Sequence, residues 1–175
     1  WYYLEKGVWA SNVDTLHKIN GKWFLIKKGI WTATTGLVAY KGKTFYVVGG
    51  KWLSRNGIYK ISGKSYYISG GKLAVVTGIK KVSGKYYYLK KGVVQTSTTG
   101  IVKVGSKSYY VVKGIWSSSK TTLYKKSGKL YSIKKGMWTK SKVIIKYNGK
   151  KYYCDKGYAQ TKKTGKVKVS GKTYT

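Results

Sequence analysis

Residues 83–94 read Ser83-Gly84-Lys85-Tyr86-Tyr87-Tyr88-Leu89-Lys90-Lys91-Gly92-Val93-Val94. A tight turn at Ser83-Gly84 leads into an aromatic strand over Tyr86–Leu89, and Lys90-Lys91-Gly92 turns the chain again. The phrase recurs along the whole chain. Its anchor is a turn residue followed by Lys: Gly21-Lys22, Gly42-Lys43, Gly63-Lys64, Gly84-Lys85, Ser106-Lys107, Gly128-Lys129, Gly149-Lys150 and Gly171-Lys172. The steps between anchors are 21, 21, 21, 22, 22, 21 and 22 residues. A fixed period in the twenties marks an array of units, none of which can bury its own apolar face alone.

Aligned on the anchor, each position becomes a column. An aromatic stands two residues past the Lys (Phe24, Phe45, Tyr66, Tyr87, Tyr109, Tyr131, Tyr152, Tyr174), and two further on an aliphatic (Ile26, Val47, Ile68, Leu89, Val111, Ile133). Spacing of two places both columns on one strand face, expected to be buried. Cys154 falls in the aliphatic column and reads as a small hydrophobe. The opposite face carries Tyr3, Leu25, Tyr46, Tyr67, Tyr88, Tyr110, Ser132 and Tyr153, so it too should be covered, by a neighbouring hairpin or a ligand. A Gly follows in every copy, from Gly7 to Gly157, which suggests a positive backbone angle. Two residues later stand Trp9, Trp31, Trp52, Trp116 and Trp138, five of the seven tryptophans.

A Thr- and Ser-rich linker then leads to a strand that alternates apolar residues with lysine, as in Ile79-Lys80-Lys81-Val82. Asn20-Gly21 and Asn148-Gly149 are strong hairpin turns and the Ser-Gly pairs weaker ones. No stretch has helical period. The expectation is an all-β chain: a β-solenoid of stacked two-stranded hairpins, about one per 21–22 residues, because an isolated hairpin is marginal in water. Residues 1–175 read as a single array of about eight repeats, cut within a repeat at both ends, and so as a piece of a longer protein.

Lys and Arg total 37 against 3 acidic residues, a formal charge of +34. Such self-repulsion calls for a counter-ion. Lys22, Lys43, Lys64, Lys85, Lys107, Lys129, Lys150 and Lys172 fill the turn column; Lys18, Lys60, Lys81, Lys103, Lys125, Lys146 and Lys168 fill a strand column. In a repeat array columns become rows, suited to a repeating polyanion held by many weak contacts. A solvated face that protects strand edges would explain lysines. It would not explain the near absence of acids, since solubility needs a net charge of only about 2 to 8.

Other chemistry is poorly supplied. Glu5, Asp14, Asp155 and His17 are scattered, too few for paired acid–base work or a metal site; no catalytic residue, metal or cofactor is expected. One cysteine allows no internal disulfide, and no apolar run reaches the roughly 18 residues needed to span a bilayer. Lysine interleaved with aromatics also suits single-stranded nucleic acid, but no nucleic-acid-binding module is recognisable.

GKYYYLKKG over 84–92 after Thr77-Gly78-Ile79, and GKWFLIKKGIW over 21–31 before Thr34-Thr35-Gly36-Leu37, resemble the choline- and glucan-binding cell-wall repeats of Gram-positive bacteria. The C-terminal repeats of clostridial toxins are similar. The resemblance implies a β-solenoid of stacked hairpins on an extracellular, surface-held protein that attaches to wall polymers or glycans. In the choline-binding branch, three aromatic or Met side chains from adjacent repeats cage a trimethylammonium group by cation–π attraction. The sequence departs from that pattern twice. Leu16, Leu37, Ile58, Ile79 and Ile101 replace the Trp of the TGW phrase, and the late Met column holds the five tryptophans. A rearranged cage would draw on those tryptophans with Tyr46, Tyr67, Tyr88, Tyr110 and Tyr153. The expected partner is an anionic wall polymer or glycan; a stalk that self-associates into fibres is the alternative.

Overall fold

The structure, a computed structural model, describes residues 1–175. All of its regular elements are β-strands. Each complete repeat holds a five-residue strand, a six-residue strand and a two-residue strand: for example Gly36–Tyr40, Lys43–Val48 and Lys51–Trp52. The first two form the expected hairpin, with Leu37 opposite Tyr46 and Tyr40 opposite Lys43. The third strand extends the two-stranded unit read from the sequence. It doubles back on the second strand (Val47 opposite Trp52) and also pairs with the second strand of the preceding repeat (Lys51 opposite Phe24). This double pairing turns a row of hairpins into a solenoid, because the two-residue strand gives its backbone groups to both neighbours.

The turns explain why the hairpins form. At the hairpin tips two successive residues have positive φ: Asn20 at 48° then Gly21 at 77°, Ser83 at 46° then Gly84 at 80°. That is the I′ arrangement, whose twist matches the flanking strands. The tip at Gly105-Ser106 reverses the residue order, and only Gly105 is left-handed there (φ 58°), the II′ pattern with glycine first. The turn between second and third strands repeats the I′ form, as in Lys91 (47°) and Gly92 (78°).

Packing divides the chain into two compact units, Trp1–Thr77 with Leu89–Val94, and Gly78–Tyr88 with Gln95–Thr175. In the first, Leu16, Leu25 and Val47 are buried together, with Trp23, Phe45 and Trp52 packed around them. In the second, Leu123, Val143, Ile145 and Cys154 form the corresponding cluster. The aliphatic column is buried as expected, at 0% exposure for Val47, Ile68, Leu89, Val111, Ile133 and Cys154. The opposite face is covered too: Leu25, Tyr46, Tyr88 and Ser132 are buried. No helix is long and apolar enough to cross a membrane.

Candidate functional site

The recurring spacing of Gly and Trp along the repeats builds the contact between them. Gly71 of one repeat has φ 70°, and a Cβ there would collide with the Leu53 carbonyl oxygen and the Trp52 indole of the preceding repeat. Gly50 and Gly136 sit in the same way against Thr32 with Trp31, and Ser117 with Trp116. The glycine column therefore answers two demands, a left-handed angle and a close backbone approach. Its carbonyl oxygen takes two bonds. Gly71 O accepts the Tyr46 amide and the Trp52 Nε1–H, both at 2.9 Å. Gly136 O accepts the Tyr110 amide and Trp116 Nε1–H, both at 2.8 Å. Gly157 O accepts the Ser132 amide at 3.0 Å and Trp138 Nε1–H at 2.8 Å. Three of the five tryptophans singled out as ring walls thus hydrogen-bond across a repeat junction. Trp31 Nε1 is buried with no partner, and Trp9 is 49% exposed.

The structure does not bring the tryptophans and the Tyr46 column together. Val47 lies opposite Trp52, which puts Trp52 on the face of Val47 and Phe45 and leaves Tyr46 on the other. The tryptophans meet the aromatic column two residues past the anchor instead: Phe45–Trp52 at 5.9 Å, Tyr109–Trp116 at 5.3 Å, Tyr131–Trp138 at 6.0 Å. The Tyr46 column stacks on the first strand of the following repeat. Tyr3 meets His17 at 4.4 Å, Tyr46 meets Tyr59 at 4.7 Å, and Tyr110 meets Tyr124 at 5.2 Å. His17 also hydrogen-bonds Tyr3 Oη at 2.8 Å, which accounts for the lone histidine as a strand residue. Burial, followed by the neighbouring Tyr124 and Tyr147, raises the Tyr110 pKa above its ordinary value. Tyr67 and Tyr153 are half-buried.

One junction gathers three rings. Tyr131, Trp138 and Tyr158 lie 4.9–6.0 Å apart, centroid to centroid, at interplanar angles of 59–63°. These rings touch one another in one cluster. Two of the rings carry lysines: Lys129 Nζ stands 5.5 Å over Tyr158 and Lys140 Nζ 5.3 Å over Trp138. Lys72 Nζ covers Phe45 at 5.3 Å and Lys81 Nζ covers Tyr86 at 5.5 Å in the same manner.

The lysine columns are exposed wherever they occur. Lys22, Lys43, Lys64, Lys85, Lys107, Lys129, Lys150 and Lys172 all face solvent, as do Lys18, Lys60, Lys81, Lys103, Lys125, Lys146 and Lys168. Register places the two columns on opposite faces of each hairpin tip: Lys18 is opposite Trp23, whereas Lys22 is opposite Ile19. A third lysine set escaped the sequence reading. Lys6, Lys28, Lys91, Lys113, Lys135 and Lys156 occupy the left-handed first position of the turn before the glycine. A hydroxyl or amide fourteen residues earlier pins that turn. Thr77 Oγ1 accepts the Lys91 amide and Thr99 Oγ1 the Lys113 amide, each at 3.0 Å, and Asn56 Oδ1 accepts that of Gly70 at 2.7 Å. The signal was present as the Thr or Asn before each Gly-aliphatic pair, within what reads as featureless linker.

Three segments, residues 33–51, 75–95 and 97–115, match the choline-binding repeat. These three segments carry the pattern of that repeat. Among solved structures, CbpJ from Streptococcus pneumoniae superposes with a TM-score of 0.52 at 20% identity, over 97% of this chain and 58% of that one. The modular autolysin LytC from Streptococcus pneumoniae, in complex with a synthetic peptidoglycan ligand, gives 0.52 at 20% identity, over 87% of this chain and 34% of LytC. At that identity the likeness concerns the fold, the repeat solenoid. This chain spans little more than half the length of CbpJ. No curated protein matches the chain by sequence.

Proposed function

We propose that the chain is a non-catalytic attachment module of a secreted, surface-held protein, and that its exposed lysines bind an anionic polymer of the cell wall or an acidic glycan. The observation that carries this reading is the exposure of every lysine in both columns on a chain with only 3 acidic residues. The choline-binding-type repeats favour a wall ligand over nucleic acid. Lysine ammonium groups stand over Tyr158 and Trp138 in the ring cluster, and a quaternary ammonium would have to displace them to reach those faces. Each lysine contributes little on its own in water, and the repeats raise the effective concentration of the next contact once one has formed.

The test is retention on a poly(glycerol phosphate) matrix. Binding should fall steeply as salt rises through the range where the Debye length drops below about 8 Å, and millimolar choline at low salt should leave it unchanged. Release by choline at low salt would establish a quaternary ammonium ligand instead.

A further inference from the structure

We propose that the tip end of the junction between hairpins 100–112 and 122–134, within the second unit, binds a phosphate group of an anionic polymer. Lys126, Lys129 and Lys103 supply the charge and Ser108 a hydroxyl. The inference rests on the polyanion reading above and adds the place where one charged group of the polymer is held.

Lys126 breaks a pattern that other copies keep. The residue opposite the tip lysine is Ile19, Tyr40, Ile61, Val104, Tyr147 or Val169 in six hairpins, an aliphatic or aromatic side chain beside a charge. In hairpin 122–134 it is Lys126, directly opposite Lys129. Like charges directly opposite one another destabilise a strand pair, and lysine is a poorer strand former than the residues it replaces. No carboxylate offsets the repulsion. Asp155, the only acidic residue of the second unit, accepts from the Tyr153 hydroxyl at 3.3 Å and the Lys156 amide at 2.9 Å. A local rule broken without compensation inside the fold points to a ligand outside it. The hairpin has a complete copy before it and another after it, and both of its facing lysines are exposed.

Register brings further donors to the same place. Across this junction Tyr110 meets Tyr124 at 5.2 Å. Two residues towards the tips, on the same strand faces, stand Ser108 and Lys126. The corresponding positions in the first unit are Trp23 and Tyr40, whose rings meet at 5.5 Å. A serine and a lysine thus take the place of two rings. Lys103 lies directly opposite Ser108 and is exposed. Lysine engages phosphate as a point charge, and a hydroxyl can donate to a further oxygen. Donors reaching in from two hairpins suit the tetrahedral spread of those oxygens. The lysine pair is parted, as repulsion requires. Lys129 Nζ lies 5.5 Å over Tyr158, whose strand pairs with the edge of the Lys129 strand that faces away from Lys126. An anion between Lys126 and Lys129 would draw Lys129 back from that ring.

The experiment compares two charge-matched variants of the full 175-residue chain, Lys126→Val and Lys60→Val. Lys60 is an exposed lysine of the first unit, opposite Ser65. Affinity for poly(glycerol phosphate) should fall about tenfold for Lys126→Val and about twofold for Lys60→Val. Equal losses would overturn the junction site while leaving the polyanion reading standing; no binding by the unsubstituted chain would end both. Without polymer, Lys126→Val should melt about 2 °C above the unsubstituted chain, because it removes the repulsion and restores a residue that other copies use. A lower melting temperature would show that Lys126 serves the fold itself and would overturn the argument. The side-chain proton shifts of Lys129 give a readout in the unsubstituted chain, since the Tyr158 ring perturbs them. Adding poly(glycerol phosphate) should return them towards ordinary lysine values. The same return with inorganic phosphate supports a site for which the phosphate group suffices, and a return with the polymer alone supports one that also needs the flanking chain. No movement with either overturns the proposal.

Discussion

Trp52 Nε1 donates to the Gly71 carbonyl oxygen at 2.9 Å, across the junction between two repeats, and lies where a Gly71 side chain would have to be. The two residues define each other. Indole needs a neighbour with no Cβ, and the glycine carbonyl, already bonded to the Tyr46 amide, takes the indole N–H as its second donor. The relation recurs for Trp116 with Gly136 and Trp138 with Gly157. Repetition of this one contact sets how successive hairpins stack within each unit.

Replacing Gly71 by Ala should therefore destabilise the fold by about 2–4 kcal/mol, combining a left-handed Ala with a collision against backbone that cannot swing away. Gly63 has a similar angle, φ 79°, but open space where its Cβ would lie. Gly63→Ala should cost only about 1 kcal/mol. Urea unfolding of the two variants checks the difference; equal losses would mean that the junction is looser than the contact implies.

Trp52→Phe keeps an aromatic ring and removes the N–H, so it should cost about 1 kcal/mol more than the same change at Trp31, whose Nε1 has no partner. Thermal melts of Trp31→Phe and Trp52→Phe give the comparison. A larger loss at Trp31 would show that its indole N–H is bonded after all, through water or a shifted Gly50 carbonyl.

The hairpins were legible in the sequence because a strand has period two and the repeat displays each position eight times over. Ile68, Leu89 and Cys154 could be placed in the core by column alone. The third strand was not legible: Lys51–Trp52 is two residues long and carries no alternation. Without it the register of Trp52 was unknown, and with it the face that tryptophan occupies. That is why Trp52 was grouped with Tyr46, whereas it meets Phe45. Thr77 and Thr99 were hidden for a different reason. Their partners are turn amides fourteen residues away, so the regular Thr before the Gly-aliphatic pair gives no local sign of what it bonds. Ser132 shows how a repeat tolerates exceptions, since it is fully buried where six other copies have Tyr and one has Leu, and it donates to the Thr139 carbonyl at 2.7 Å.

Lys91→Asn separates charge from conformation at the second turn. Asn accepts a left-handed angle more readily, so stability should rise by about 0.5–1 kcal/mol while polyanion affinity falls. Calorimetry together with a salt titration of binding measures both. A variant both less stable and equally adhesive would contradict the view that Lys91 is kept at φ 47° for its charge.

The pH dependence of stability should carry a cysteine component at the alkaline end. Cys154 is fully buried in the aliphatic column, and burial pushes its thiol from 9.0 up to about 11. The folded state therefore holds a proton that the unfolded chain releases first. This contribution is complete below pH 9 and is lost as pH rises through 11, with an upper magnitude of roughly 2–3 kcal/mol. Lysines titrate in the same window, so the comparison must be made against Cys154→Val, which retains an apolar side chain and every lysine. Subtracting the two stability profiles should leave a difference that is flat below pH 9 and declines above it. A flat difference up to pH 11 would show that the thiolate is stabilised inside the fold, against its placement among Leu123, Val143 and Ile145.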